Sequence, residues 1–231
     1  MPIHMEHAFM TRSTDRKNRT GRFAPACSLV SACVIGLTML TSTPSSALAA
    51  PEPAPVATQW EFTFEPGPLR MAWVEENGQR NPYFYLTYRV TNHWGGVKLF
   101  APDVSLMSDN ANVQRSGRGV SSAVTEEIMG RLDNPLLESQ IDIVSNVLEG
   151  VEHARDGVVI WPAQDLQADE VTVFFAGLSG EFQSYIVGRD SNDPRRYTLR
   201  KTMMLRYATP GQMTGQGDNP FQLVEKRWVM R

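Results

Sequence analysis

From Trp60 onward the chain alternates. Trp60, Phe62 and Phe64 interleave with Glu61, Thr63 and Glu65, and Leu69, Met71 and Trp73 continue the pattern. Phe84, Leu86, Tyr88 and Val90 then alternate with Tyr83, Tyr85, Thr87, Arg89 and Thr91. A period of two puts one face of a strand on a core and turns the other toward solvent. Asn92 to Gly96 (NHWGG) is turn chemistry, Lys98 to Ala101 is extended up to Pro102, and Val104 to Met107 is a short strand closed by Ser108-Asp109-Asn110. Strands return at Val158–Trp161, Val171–Ala176, Glu181–Val187, Tyr197–Tyr207 and Leu223–Met230. The Val171 run is apolar on both faces and reads as a central, covered strand.

The middle of the chain breaks this rhythm. Ser121 and Ser122 suit the N-cap of a helix carrying Val124, Ile128 and Leu132 on one face, with Glu126 and Glu127 near its start. Between Asn134-Pro135 and Leu148, the spacing of Leu137, Ile141, Val144 and Leu148 suits a helix, whereas Ile141, Ile143 and Val144 suit a strand. The pattern predicts about nine or ten strands at the short spacing of an all-β sandwich or barrel, with a small helical insertion near 121–148.

The first 49 residues read as a secretory signal. Arg12, Arg16, Lys17, Arg19 and Arg22 form a basic head, Ala26 to Leu40 is an apolar run, and Ala47-Leu48-Ala49 is a small-residue cleavage pattern ending at Ala49. The apolar run falls short of the roughly 20 residues that span a bilayer, so retention as an anchor is the lesser alternative and no stable membrane span is expected after cleavage. Cys27 and Cys33 both lie in this segment, and the apolar run continues past Cys33 rather than ending at a lipidation site. Residues 50–58 (APEPAPVAT) read as a Pro/Ala-rich extended tether, leaving 59–231 as the folded domain. The whole chain carries −3, but beyond Ala49 there are 17 Lys/Arg against 23 Asp/Glu. That acidic balance argues against a nucleic-acid partner.

The most enzyme-like stretch is VTVFFAGLSGEF. Gly177-Leu178-Ser179 matches the first three positions of a nucleophile elbow, G-x-S-x-G, but the fifth is Glu181. The following residues alternate like a strand. A triad of that class also needs a histidine downstream of its serine, and His93 and His153 both lie upstream. Gly177–Gly180 therefore reads as a turn reversing the chain between antiparallel strands, with Ser179 hydrogen-bonded inside it. His93 and His153 lack the company and spacing of a metal site, so no metal or other cofactor is expected. Asp190–Asp193 and Asp109–Asn112 lack the full oxygen ladder of a calcium loop and read as turns.

Two surface features remain. Arg195, Arg196, Arg200, Lys201 and Arg206 form a basic stretch that suits either an anionic envelope polymer or a solvated strand face paired with the acidic excess. Of five tryptophans, Trp60, Trp73, Trp161 and Trp228 fall in strand patterns and read as core. Trp94, in the NHWGG turn, is the one candidate for an exposed ligand contact.

The run YFYLTYRVTNHWGGVKLFAPDVSLMSD resembles immunoglobulin-like domains of exported bacterial proteins, through Val90-Thr91-Asn92 and then Val104, Leu106 and Asp109. DGVVIWP together with FFAGLSGE is similar to exported proteins of the planctomycete type. The resemblance spans most of residues 80–182 and the LRKTMMLRY strand. It implies an immunoglobulin-like antiparallel β-sandwich and an address in the periplasm or envelope, and it implies no reaction. The expected function is a non-catalytic binding or structural module facing an envelope protein or polymer. A carbohydrate-binding module built on Trp94 is the alternative, and a hydrolase is disfavoured.

Overall fold

A computed structural model describes residues 51–187, 193–209 and 211–231. The export signal, its cleavage point at Ala49, both cysteines and the Asp190–Asn192 part of the acidic loop lie outside the described residues.

The described chain is mostly β. Its elements are β1 (Phe62–Glu76), β2 (Gln79–Asn92), β3 (Lys98–Phe100), β4 (Asp103–Ser108), β5 (Val113–Arg115), α1 (Ser122–Leu132), β6 (Leu137–Glu138), β7 (Ser145–Val147), β8 (Arg155–Pro162), β9 (Glu170–Ala176), β10 (Phe182–Val187), β11 (Arg195–Ala208) and β12 (Gln222–Met230). One sheet runs β1-β2-β8-β6. A larger sheet runs β10-β11-β9-β4-β5 with β12 also on β11, and β3 pairs with β7. Every pairing is antiparallel except the short β6–β8 ladder. No described helix is long and apolar enough to cross a membrane.

β1 and β2 form one long hairpin on Asn77-Gly78, whose φ angles of 53° and 76° give the two left-handed positions of a primed turn. The alternation read from Trp60 onward is real. Phe64, Met71, Leu86, Val90 and Val159 point from the first sheet at Val104, Val173, Phe175, Leu205 and Tyr207 of the second, and all are buried in one cluster. Phe175 sits at its centre, 4.7 Å from the ring centroids of both Phe64 and Tyr88. Burying a side chain of this size contributes about 1.5–3 kcal/mol. β9 lies between β11 and β4, as its two-sided apolar pattern predicts.

The helix also forms as expected. Ser121 Oγ accepts from the Val124 amide at 3.2 Å, and Val124 and Ile128 pack on the outer face of the first sheet against Val74, Tyr85 and Ile160. It ends where Asp133 turns left-handed at φ 47°. Helix therefore occupies only the first part of the 121–148 insertion. Residues beyond it are turns and the short strands β6 and β7. Leu137, Ile143 and Val147 are buried there, while Ile141 is 76% exposed and Val144 and Leu148 also stand in solvent. The buried positions fit neither period, because the segment touches the core only at separate points.

Candidate functional site

The GLSG segment is where sequence and structure part. β9 and β10 are both antiparallel to β11, so they run in the same direction and Gly177–Gly180 does not reverse the chain. They also share one edge of β11. The Lys201 amide donates to Glu181 O on that edge, while the Arg200 amide donates to Arg231 O on the other. The expected hairpin turn is instead a detour in one long line of pairing. Sequence alternation identifies strands but not which partner edge each follows, and this is why the reversal was expected.

The detour reaches across to the other sheet. Phe62 N donates to Leu178 O at 2.8 Å, Gly180 N donates to Trp60 O at 2.9 Å, and Leu178 is fully buried. Ser179 Oγ accepts from the Glu181 amide at 3.2 Å, so the hydroxyl serves the local backbone as expected. Gly177 adopts φ 90°, and a Cβ there would lie 2.5 Å from the carbonyl oxygen of Ala101. Gly177→Ala is expected to cost about 1–3 kcal/mol from backbone strain alone, seen as a lower urea midpoint with an unchanged denaturant slope.

Beyond the detour, β10 and the first half of β11 leave the body of the protein as a two-stranded ribbon. Phe182 is 66% exposed, and Tyr185, Ile186, Val187 and Tyr197 are exposed with it. Tyr185 and Tyr197 stack at 5.6 Å between centroids. Among the described residues, the outer edge of β10 has no neighbouring strand. Alternation from the Lys201–Glu181 bond turns the backbone of Gln183, Tyr185 and Val187 toward β11 and that of Phe182, Ser184 and Ile186 outward. The larger sheet's other open edges are guarded. β5 has three residues, and β12 carries Glu225, Lys226 and Arg227 and faces a register shift in β11. β10 reads FQSYIV, with no charge and no proline. An uncharged apolar edge is what natural sheets usually avoid.

At the root of the ribbon lies an ion cluster that the sequence reading missed. Lys201 is 2% exposed, with Nζ 2.9 Å from Glu61 Oε2 and 3.1 Å from Glu181 Oε2, and it lies over the Trp228 ring at 5.1 Å. Burial pushes the Glu181 carboxyl up, but the Ala54 amide and the Lys201 ammonium outweigh it and hold it below the ordinary range. Burial likewise pulls Lys201 down, and its two carboxylates together carry it above the ordinary lysine value. One signal was available. Lys201 shares its strand face with Leu199, Met203 and Leu205, so a charge sits at an inward position.

The cluster also captures the Pro/Ala segment. Ala54 N donates to Glu181 Oε1 at 2.8 Å, Lys201 Nζ reaches Ala54 O at 3.5 Å, and Gln183 donates to Glu52 O at 3.0 Å. Residues 51–57 thus lie against the domain, walling a cavity of about 610 Å³ with Trp228 and Met230, rather than running free as a tether. Proline leaves few backbone donors here, and the charged cluster engages one that remains.

The other expected sites fall apart in space. Trp94 is 44% exposed in its turn, where its amide donates to the buried Asn92 side chain at 3.1 Å. Trp161 is sealed, and Trp60, Trp73 and Trp228 pack partly buried on the core, so Trp94 has no second exposed tryptophan beside it among the described residues. His93 and His153 are exposed, and among the described residues no three His, Cys, Asp or Glu side chains converge on a possible metal. In the Asp109–Asn112 loop, Asn110 Oδ1 accepts from Ser108 and the Asn112 amide, and Asp109 accepts from the Asp169 amide, which is turn chemistry.

No protein-family model, curated protein or solved structure matches this chain.

Proposed function

We propose that this chain is an exported, non-catalytic binding module of the cell envelope that receives a partner protein along the open edge of β10. The observation that carries the reading is the ribbon, an apolar edge strand without charge that no other described strand covers. An extended partner segment would pair with the outward backbone of Phe182, Ser184 and Ile186, and the exposed Phe182 and Ile186 side chains would take alternate partner residues. We read the two facing sheets as an immunoglobulin-like sandwich, of the kind found in exported proteins of the planctomycete type. Support for this is the shared strand pattern from Tyr83 to Asp109 and the short antiparallel sheets around one core. The address in the periplasm or envelope rests on the basic-apolar-small order of the first 49 residues.

Non-catalysis rests on Ser179. Its hydroxyl is engaged by the Glu181 amide, and the chain after it contains no histidine. A fluorophosphonate probe is expected to leave the folded protein unlabelled, and labelling at Ser179 would replace this reading with a hydrolase. The binding reading is tested with Ile186→Pro. The Ile186 amide faces away from β11, so proline there keeps the ribbon and removes an outward donor. Mixed with envelope extract, the wild-type protein should elute as a larger species. The variant should need roughly ten times more extract to do so, by the loss of one or two backbone hydrogen bonds. Equal elution of the two proteins would contradict an edge-strand mode.

A further inference from the structure

The detour at Gly177–Glu181 leaves a gap in the larger sheet's outer face. Two open cavities, of about 450 and 520 Å³, meet there and share Thr198 and Arg200. One end presents Phe182, Leu99 and the Trp60 ring. The other presents Arg115, Arg231 and the Ser105 hydroxyl. We infer that this groove binds an anionic polysaccharide, with Arg200 as the central contact for its carboxylate or sulfate groups.

Charge carries the argument first. Several arginines elsewhere on the surface are matched with carboxylates. Arg89 grips Asp156 through two bonds of 2.6 and 2.8 Å, Arg155 pairs with Glu138, and Arg206 pairs with both Glu170 and Glu225. In the groove, three arginines meet two carboxylates: Asp103 lies 3.7 Å from Arg115, and Glu181 is already bound to Lys201. Among the described residues Arg200 has no carboxylate partner. The chain is net acidic, so this imbalance is not a shortage of acids. Arg231 is preorganised, its guanidinium 3.9 Å above the Phe174 ring and donating to Ser105 Oγ at 3.0 Å. Burial also lowers its proton affinity, the mark of a cation short of counter-charge.

The remaining chemistry selects the class of anion. Around Arg200 and Thr202 the floor is a sheet face, whose backbone amides are engaged by Arg231 O and by the ladder to β12. Recognition must therefore come from side chains. Guanidinium groups bind carboxylate or sulfate in fixed geometry, the Thr198 and Ser105 hydroxyls, already bonded to Ser184 and Arg231, keep a free lone pair for a hydroxyl-rich chain, and the exposed Phe182 ring offers a flat apolar face to a pyranose. A peptide lying over Arg200 and Thr202 would find no free main-chain partners there.

The test uses polygalacturonate for the carboxylate source, dextran sulfate for the sulfate source, and neutral dextran and polyglutamate as comparisons, in affinity electrophoresis at low ionic strength. At least one anionic polysaccharide should retard the protein where neutral dextran and polyglutamate do not. Arg200→Gln should weaken that retardation roughly tenfold, Arg200→Lys should keep part of it, and Arg80→Gln on the β1–β2 hairpin should keep all of it. Ile186→Pro should also leave retardation unchanged, which separates this site from the edge of β10. The inference is overturned if no anionic polysaccharide binds, if polyglutamate binds as well, or if Arg200→Gln has no more effect than Arg80→Gln.

Discussion

Lys201→Met is expected to destabilise the domain by about 3–5 kcal/mol, because it strands two carboxylates that the ammonium now neutralises. Lys201 and Glu181 are almost wholly buried and Glu61 is only partly exposed, so water cannot replace the lost cation. The same change should free residues 51–57, since Glu181 and Lys201 hold both the amide and the carbonyl of Ala54. Urea unfolding measures the first effect, and hydrogen exchange at the Ala54 amide the second. Adding Glu181→Gln to Lys201→Met should recover part of the loss, because it removes one of the stranded charges.

The pH dependence follows with a definite sign. The folded Glu181 pKa is depressed, so its contribution is present above the ordinary value of 4.5 and is lost as pH falls through the depressed one. The folded Lys201 pKa is raised, so its contribution is present below 10.5 and is lost as pH rises through the raised one. The wild-type protein should therefore lose stability on the acid side. Lys201→Met should show the opposite slope there, because protonating an unpaired buried carboxylate relieves it. A loss under about 1 kcal/mol, the range of exposed pairs, together with an unchanged acid limb, would show that the cluster contributes no more than a surface ion pair.

Phe175→Ala is expected to cost about 3–5 kcal/mol, the range for removing a buried aromatic ring. Phe175 is fully buried on β9, and its ring is the meeting point of Phe64 and Tyr88 from the opposite sheet. The cavity would open at the interface that joins the two sheets. Phe182→Ala, six residues after the end of β9, removes a ring of the same size that stands 66% exposed, and should stay within about 0.5 kcal/mol. Similar urea midpoints for these two variants would mean that the sheets are not held together through this core.

Much of this architecture was legible in the chain. Period-two runs located the strands around Phe64, Leu86, Val173 and Leu205, because one face of each is sealed and the other is not. The Ser121 cap and the Val124/Ile128 face located the helix. Two things were not legible. The path of Gly177–Gly180 depends on which edge of β11 the next strand follows, and that is decided by partners far away in sequence. The fate of 51–57 depends on a buried Lys201 and on two glutamates 120 residues apart, which no local pattern joins. The surface of β10 lay between these cases. Its lack of charge is plain in FQSYIV, but its openness appears only once the neighbours are placed.

Photocrosslinking from the ribbon tests the binding mode most directly. A photoreactive phenylalanine replacing Tyr185 is illuminated in the cells that make the protein, with and without Ile186→Pro. The edge-strand account predicts a discrete crosslinked protein that disappears with Ile186→Pro while the fold, followed by the urea midpoint, is retained. A crosslink that persists undiminished in the proline variant, or the absence of any crosslinked partner from this position, would contradict it.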